Sequence, residues 1–377
     1  MVYLHIPFCK SFCTYCTFYS ELFSLESVSR YEAAVKAEIR ARQQEIRDTL
    51  STPTLYIGGG TPSVLPPMVL RHLVEAVNDV TGGEYQEFTI EVNPDDVTAE
   101  FATFLKELGV TRVSMGIQSF DAQTLVWMHR RHTAEGARRA FACLREAGFE
   151  NISVDLIFGL GSRHGDTRSE PGMTINADID ALLSLPGGPP EHISAYQLSI
   201  EEGSALYEQV RQGRYAECSD EEAERQYLMV CTRLREAGYE HYEISNFARD
   251  ARAVHNSAYW SGEPYVGLGP AAHSYDGQRR SWNPADTEAY IRYWQGDPAE
   301  APGSEILTPE QRAMERVMLS LRTSDGIPET ELRRLCGDAR IDALLARSHL
   351  EKSRKNANLR IPEQYGFISD AIISDLV

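Results

Sequence analysis

Three times along this chain a helix-like segment closes on glutamate, one more residue and glycine, and a strand-like run follows. Lys106-Glu107-Leu108-Gly109 precedes Arg112-Val113-Ser114-Met115, Arg145-Glu146-Ala147-Gly148 precedes Ile152-Ser153-Val154-Asp155-Leu156, and Arg235-Glu236-Ala237-Gly238 precedes His241-Tyr242-Glu243-Ile244. Glycine suits the left-handed position that stops a helix, because it has no Cβ to clash there. The segment from Thr98 shows the unit whole: Thr98 as N-cap, Phe101, Phe104, Leu105 and Leu108 on one face, Gly109 as terminator. Such an apolar stripe predicts a helix lying on a sheet. Candidate strands run from Val2 to Ile6, Thr54 to Ile57, Glu87 to Val92, Arg112 to Ile117, Ile152 to Phe158 and His192 to Gln197, each followed by a loop and usually a helix. Six βα units predict an α/β fold around a parallel sheet, either doubly wound or curved into an incomplete (β/α)6 barrel of TIM-like form. Periodicity does not choose between those shapes.

After about Pro270 the rhythm fades. Asp286 to Glu300, with Ala301-Pro302-Gly303, reads as a linker; a helix follows from Thr308 to Arg322, then helical pattern to Lys352. Asn358 to Ile361 and Gly366 to Leu376 read as a short strand pair and a final helix. The expected division is residues 1–285 and 286–377, the second a small, mainly helical domain of winged-helix type. Polar, Gly-rich Gly161 to Gly172 reads as a surface excursion.

A formal charge of -18 arises from 37 basic and 55 acidic residues spread along the chain. Without clustered Lys and Arg, nucleic acid is excluded as an expected partner. No run approaches the roughly 20 apolar residues of a membrane helix, and the start reaches Cys9 too soon for a signal peptide. The expected location is the cytoplasm, free or peripheral at the inner face of the membrane. Seven cysteines, an odd number with three packed into eight residues, suggest a ligand cluster plus ordinary thiols at Cys143, Cys218, Cys231 and Cys336 rather than a disulfide framework.

Cys9-x3-Cys13-x2-Cys16 follows the first strand directly. Three thiolates on one short loop can hold three irons of a [4Fe-4S] cubane and leave the fourth open to an exogenous chelate. A closed zinc site with His5 as fourth ligand is the alternative.

The run from Tyr3 to Cys16 resembles the radical S-adenosylmethionine (SAM) signature of the oxygen-independent coproporphyrinogen III oxidase family, which includes heme chaperones as well as oxidases. The likeness continues through Gly58-Gly59-Gly60-Thr61-Pro62-Ser63, Glu91-Val92-Asn93-Pro94, Gly116-Ile117-Gln118-Ser119-Phe120, Asp155-Leu156-Ile157-Phe158-Gly159-Leu160 and Gly267-Leu268-Gly269-Pro270. Cys9, Gly58 to Thr61, Glu91, Gln118 and Asp155 all fall near predicted strand ends, the rim where βα barrels build their sites. The resemblance implies a radical SAM barrel with the cluster on Cys9, Cys13 and Cys16. It also implies SAM contacts from Tyr3, Gly59, Gly60, Thr61, Glu91, Gln118, Arg130 and Asp155.

Two departures from the oxidases stand out. They carry another cysteine where this chain has Phe18, and an amino-terminal extension where this chain has two residues before Tyr3. His255-Asn256-Ser257-Ala258-Tyr259 matches an H-N-x-x-Y motif of the heme-chaperone members, in which the histidine is implicated in heme binding. Imidazole is a common axial ligand of heme iron, and a tyrosine oxygen can ligate or hydrogen-bond beside it. Ala253 replaces a cysteine often found two residues earlier, and His273 reads as a core histidine. The resemblance therefore implies a heme chaperone with a [4Fe-4S] cluster, SAM and heme as cargo. Its expected partners are recipient hemoproteins such as respiratory enzymes, and an electron donor such as flavodoxin or ferredoxin where SAM is cleaved. The alternatives are a coproporphyrinogen III oxidase and a radical SAM enzyme that degrades heme.

Overall fold

The predicted strands pair side by side in chain order. In a computed structural model, which describes residues 1–163, 173–297, 301–353 and 355–376, the parallel neighbours are β1 (Val2–Ile6), β2 (Thr54–Gly59), β3 (Glu87–Val92), β4 (Arg112–Gln118), β5 (Ile152–Phe158) and β6 (His192–Gln197). Antiparallel β7 (Glu240–Glu243) and β8 (Asn246–Ala248) extend one edge, and β9 (Val266–Leu268) runs parallel to β1 at the other. The order is β7-β8-β6-β5-β4-β3-β2-β1-β9. Its two ends do not pair with each other, so the structure is an incomplete barrel.

Alternation along the strands separates two environments. On β1, Val2, Leu4 and Ile6 are fully buried in the main apolar core, while Tyr3 faces the interior cavity described below. Helices seal the outer face: Leu70, Leu73, Val74 and Val77 of Pro67–Thr81, Phe101 and Leu105 of Ala99–Glu107, and Phe141 and Leu144 of Ala134–Glu146 are all buried. Each such side chain stabilises the fold by about 1.5–3 kcal/mol. The Thr98 hydroxyl accepts from the Phe101 amide at 3.2 Å, and Gly109, Gly148 and Gly238 have φ of 91, 84 and 89°.

The stretch expected to be a linker instead holds a helix, Thr287–Trp294, capped by Asp286. Tyr290 and Ile291 are fully buried in the main core, and the Tyr290 hydroxyl donates to Glu38 at 2.6 Å. Its apolar face is one turn deep, which is why polar flanks masked it. Beyond it, Pro309–Leu321 starts with a capping box of Thr308 and Gln311, and Glu329–Cys336 and Asp338–Ala346 follow. Leu359–Arg360 pairs back onto Glu351–Lys352, a small wing after three helices. Gly366 to Ile368, read with Asn358 to Ile361 as part of a strand pair and final helix, instead ends a 3-10 turn, Glu363–Ile368, before the helix Ser369–Ser374. These elements share a second core around Leu321, Leu332, Ile341 and Ile372.

The helix Val254–Trp260 lies across the amino ends of the strands. The amides of Val254 and His255 donate to Glu87, the first residue of β3, at 2.9 and 3.0 Å. Of the predicted excursion, Ser162–Arg163 pairs with Tyr215–Ala216, and residues 164–172 lie outside the described residues. Among the described residues, no helix is long and apolar enough to cross a membrane.

Candidate functional site

Pro7 ends β1, and the chain immediately makes a narrow neck. Phe8–Cys9 pairs in parallel with Glu21–Leu22, the Glu21 amide donates to the Pro7 carbonyl at 2.6 Å, and the Phe23 amide to that of Cys9 at 2.9 Å. Residues 10–20 therefore form a loop closed at its base. Thr14 pins the tip, its hydroxyl donating to the Trp127 carbonyl at 2.6 Å and its carbonyl accepting from the Leu206 amide at 2.8 Å. Cys9, Cys13 and Cys16 are half-buried free thiols on this loop. Arg130 donates to the Cys13 sulfur at 3.2 Å, the Thr61 hydroxyl lies 3.4 Å from that of Cys9, and burial pushes the Cys16 thiol up. A soft three-sulfur donor set held on a pinned loop, with a cation against one sulfur, fits an anionic iron–sulfur cluster. His5 is not a spare fourth ligand: its Nδ1 accepts from the Tyr3 hydroxyl and its Nε2 donates to the Tyr19 carbonyl, each at 3.0 Å.

The glycine run at the end of β2 seats this loop. A Cβ on Gly59 would stand 2.8 Å from the His5 ring, and one on Gly60 2.9 Å from the Phe8 carbonyl and 3.1 Å from the Cys9 sulfur. The amides of Gly60 and Thr61 donate to the carbonyls of Ile6 and Phe8, both at 2.8 Å. Any side chain here would displace the first cysteine.

Behind the glycines lie two partly buried carboxyls. Glu91 accepts from the Tyr56 hydroxyl at 2.7 Å and the Gly59 amide at 3.2 Å. Burial, with the charge of Asp155 adding, raises its pKa to about 7. Asp155 is raised to about 6 by burial, against the opposing pull of a Ser194 hydrogen bond, Arg112 and Arg130. Arg112, 4% exposed on β4, is a counter-charge that the sequence reading passed over. Its signal was there: Arg112, Ser114 and Gly116 alternate with the core residues Val113, Met115 and Ile117.

At the end of β4 the pairing with β5 slips between Gly116 and Gln118, and Gln118 takes φ of 70°. A non-glycine residue in the left-handed region at a bulge marks stored strain of the kind that collects at functional sites. A Cβ on Gly116 would sit 2.9 Å from the Gln118 amide nitrogen, and the Gly116 carbonyl accepts from Arg130 at 2.6 Å. Bulge, glutamine and arginine thus form one unit beside the cysteine loop.

A cavity of about 340 Å³ occupies the barrel interior. Tyr3, Glu91 and Asp155 line it together with His255 and Tyr259, which are remote from all three in sequence. Gln118 and Arg130 stand outside it, at the cysteine end. His255 sits at the opposite end, its Nδ1 2.7 Å from the Thr54 hydroxyl and its ring 5.1 Å from that of Tyr56 and 4.9 Å from that of Tyr259. The imidazole is 2% exposed, and burial lowers its pKa to about 3, so it is neutral. Its Nε2 has no hydrogen-bond partner among the described residues. His273, expected in the core, is exposed and stacks on Trp282. It begins a short three-stranded sheet outside the barrel.

Comparison with known proteins gives the same picture. The Radical SAM superfamily is matched over residues 3–170. The heme chaperone HemW of Bacillus subtilis is 34% identical over 337 residues, covering 86% of this chain and 84% of the relative. The heme chaperone HemW of Mycobacterium tuberculosis is also 34% identical, with coverage of 88% and 83%. The solved structure of coproporphyrinogen III oxidase (HemN) from Escherichia coli superposes with a TM-score of 0.81 across all of this chain and 89% of that one; at 19% identity it speaks to fold alone. With a third of its residues shared along most of its length and the barrel in place, the chain belongs to the HemW family of the radical SAM superfamily.

Proposed function

We propose that this protein is a heme chaperone that holds a [4Fe-4S] cluster on Cys9, Cys13 and Cys16, binds SAM, and hands heme to a recipient hemoprotein. The observation that supports this best is the pinned three-thiol loop with Arg130 at Cys13, set above two partly buried carboxyls that open onto one cavity. The SAM-binding set is Tyr3, Gly59, Gly60, Thr61, Glu91, Gln118, Arg130 and Asp155. In that set Glu91 and Asp155 suit the ligand's ammonium and ribose hydroxyls, as carboxylates accept such bonds well, and Arg130 suits its carboxylate. When bound, the cluster supplies one electron to the sulfonium. Tyr15, half-buried beside Cys13, Cys16 and Arg130, shields the sulfurs from water. A flavodoxin or ferredoxin is the fitting electron donor, and respiratory hemoproteins are fitting recipients.

His255 is the proposed axial ligand, with Tyr259 beside it. A neutral imidazole with a free Nε2 has the right chemistry. Its burial imposes a condition: either a tetrapyrrole edge enters the cavity, or the helix Val254–Trp260 draws away from the strand ends. Phe12 and Phe18, exposed on the cysteine loop, offer apolar surface for a flat cargo.

The test uses protein reconstituted anaerobically with iron and sulfide, titrated with heme, then mixed with an apo-hemoprotein. Intact heme bound and passed on is expected, and His255→Ala should lose heme while keeping its iron and sulfide. Decarboxylation of coproporphyrinogen III would replace this reading with the oxidase, and an altered tetrapyrrole mass with the degrading enzyme.

A further inference from the structure

A second set of donors converges where the carboxyl-terminal segment meets the barrel. Cys231 on the helix Asp220–Glu236, His241 on β7 and Glu363 at the start of the 3-10 turn come together. The Cys231 sulfur lies 3.8 Å from His241 Nδ1, which lies 3.1 Å from Glu363 Oε1. Among the described residues this is the one group of three thiol, imidazole or carboxylate ligand atoms all within 4.8 Å of one another. Tetrahedral zinc, with Zn–S about 2.3 Å and Zn–N and Zn–O about 2.1 Å, sets S···N near ~3.6 Å and N···O near ~3.4 Å. Both observed separations fall within about 0.3 Å of those values.

The imidazole is oriented as a ligand. Its Nε2 donates to the Ile244 carbonyl at 3.3 Å, so Nδ1 is the nitrogen that faces Cys231 and Glu363, and a metal there would take the place of its proton. The ring stacks on Phe247 with centroids 4.2 Å apart, and Cys231 is 2% exposed. A further carboxylate that such a cation could serve is Glu243, two residues along the strand and close enough to His241 to feel its charge. It is 3% exposed, neither carboxylate oxygen has a hydrogen-bond partner among the described residues, and it lines the same cavity of about 290 Å³ as His241 and Glu363. A buried carboxylate without donors is costly unless a positive charge stands near. The arginines around this cavity are engaged elsewhere or already counted: Arg235 pairs with Glu363, Arg322 with Asp370 and Arg360 with Glu351.

We propose that Cys231, His241 and Glu363 form a zinc site, with a cavity water held by Glu243 in the fourth position, that fastens the carboxyl-terminal turn to the barrel. The protons of the Cys231 thiol and of His241 Nδ1 both leave to solvent as the metal binds. Nothing in this depends on the iron–sulfur reading, and iron content reports on that separately.

The test titrates the full-length, iron- and sulfide-reconstituted protein with Zn²⁺ alone, followed by desalting, metal analysis and zinc K-edge absorption, which is blind to iron. Expected are about one zinc per chain beside the iron and a shell of one sulfur with three nitrogen or oxygen neighbours. Cys231→Ser and His241→Ala should lose the zinc with iron unchanged. Glu363→Gln, on a half-exposed turn where folding is not at stake, should weaken binding about tenfold or more. Zinc that washes out of the wild type, zinc retained equally by all variants, or a three-sulfur shell placing it on Cys9, Cys13 and Cys16 would each overturn the proposal. In that case His241 and Glu363 are simply an ion pair.

Discussion

Arg130 spans Cys13 and Gly116, with one guanidinium nitrogen 3.2 Å from the sulfur and another 2.6 Å from the carbonyl. The same cation balances a thiolate and anchors the bulge that presents Gln118. Arg130→Gln should still assemble a cluster on three thiols, but with the reduction potential lowered on the order of 50–100 mV as a nearby positive charge disappears. Potentiometric titration followed by electron paramagnetic resonance measures this, and an unmoved potential would separate the guanidinium from the cluster.

Glu91 and Asp155, raised to about 7 and about 6, imply a particular pH dependence. Carboxyls with folded pKa values above their unfolded ones hold extra protons when folded. Their contribution to stability is therefore full below about pH 4 and is lost as pH rises through about 6 to 7. Cofactor-free protein should lose thermal stability from these groups between about pH 4 and 7, and Glu91→Gln should flatten the upper part of that slope. Affinity for cationic SAM should run the other way, rising about tenfold from pH 6 to 8 as Glu91 ionises. Calorimetric titration at several pH values reads it directly, and a flat profile would remove Glu91 from the binding set.

Gln118 separates stability from binding. Its left-handed backbone is strained for any residue with a Cβ, so Gln118→Gly should leave the protein as stable or raise its stability by about 0.5–1 kcal/mol. SAM affinity should nevertheless fall, because the amide side chain is gone. Thermal melts and calorimetry on the same variant test both halves, and unchanged affinity would make the bulge purely architectural.

His255 offers a similar separation at the other end of the barrel. His255→Ala removes the contact to Thr54 and two ring contacts, which should cost about 1–3 kcal/mol of stability. His255→Asn, which can keep a polar contact to Thr54, should recover part of that stability and none of the heme affinity. Heme binding that survives in both variants would assign the H-N-x-x-Y motif to barrel closure.

Much of this barrel was legible because its signals are local. Glycine terminators, strand alternation and the cysteine spacing need only a few neighbouring residues, and every predicted barrel strand is present. Thr287–Trp294 was not legible, since Tyr290 and Ile291 bury against partners as remote as Glu38 and leave a stripe too short to stand out. Arg112 hid for a different reason: a charged side chain inside a barrel is legible only once its counter-charges, here Glu91 and Asp155, are known to share the interior. The meeting of Cys231, His241 and Glu363 depends wholly on tertiary folding, so Cys231 read as an ordinary thiol.

The strand that leads into Cys9 has β9 as its outer neighbour, and Tyr19, near the close of the cysteine loop, receives the Thr287 amide at 2.6 Å. Tyr19 therefore waits for a residue 268 positions further along the chain before its surroundings are complete. A nascent chain halted short of the helix Thr287–Trp294 would lack the Thr287 amide and hydroxyl that hold Tyr19 near the base of the cysteine loop. Truncation from the carboxyl end past Thr287 should therefore loosen the base of the metal-binding loop while leaving its pins at Trp127 and Leu206 in place.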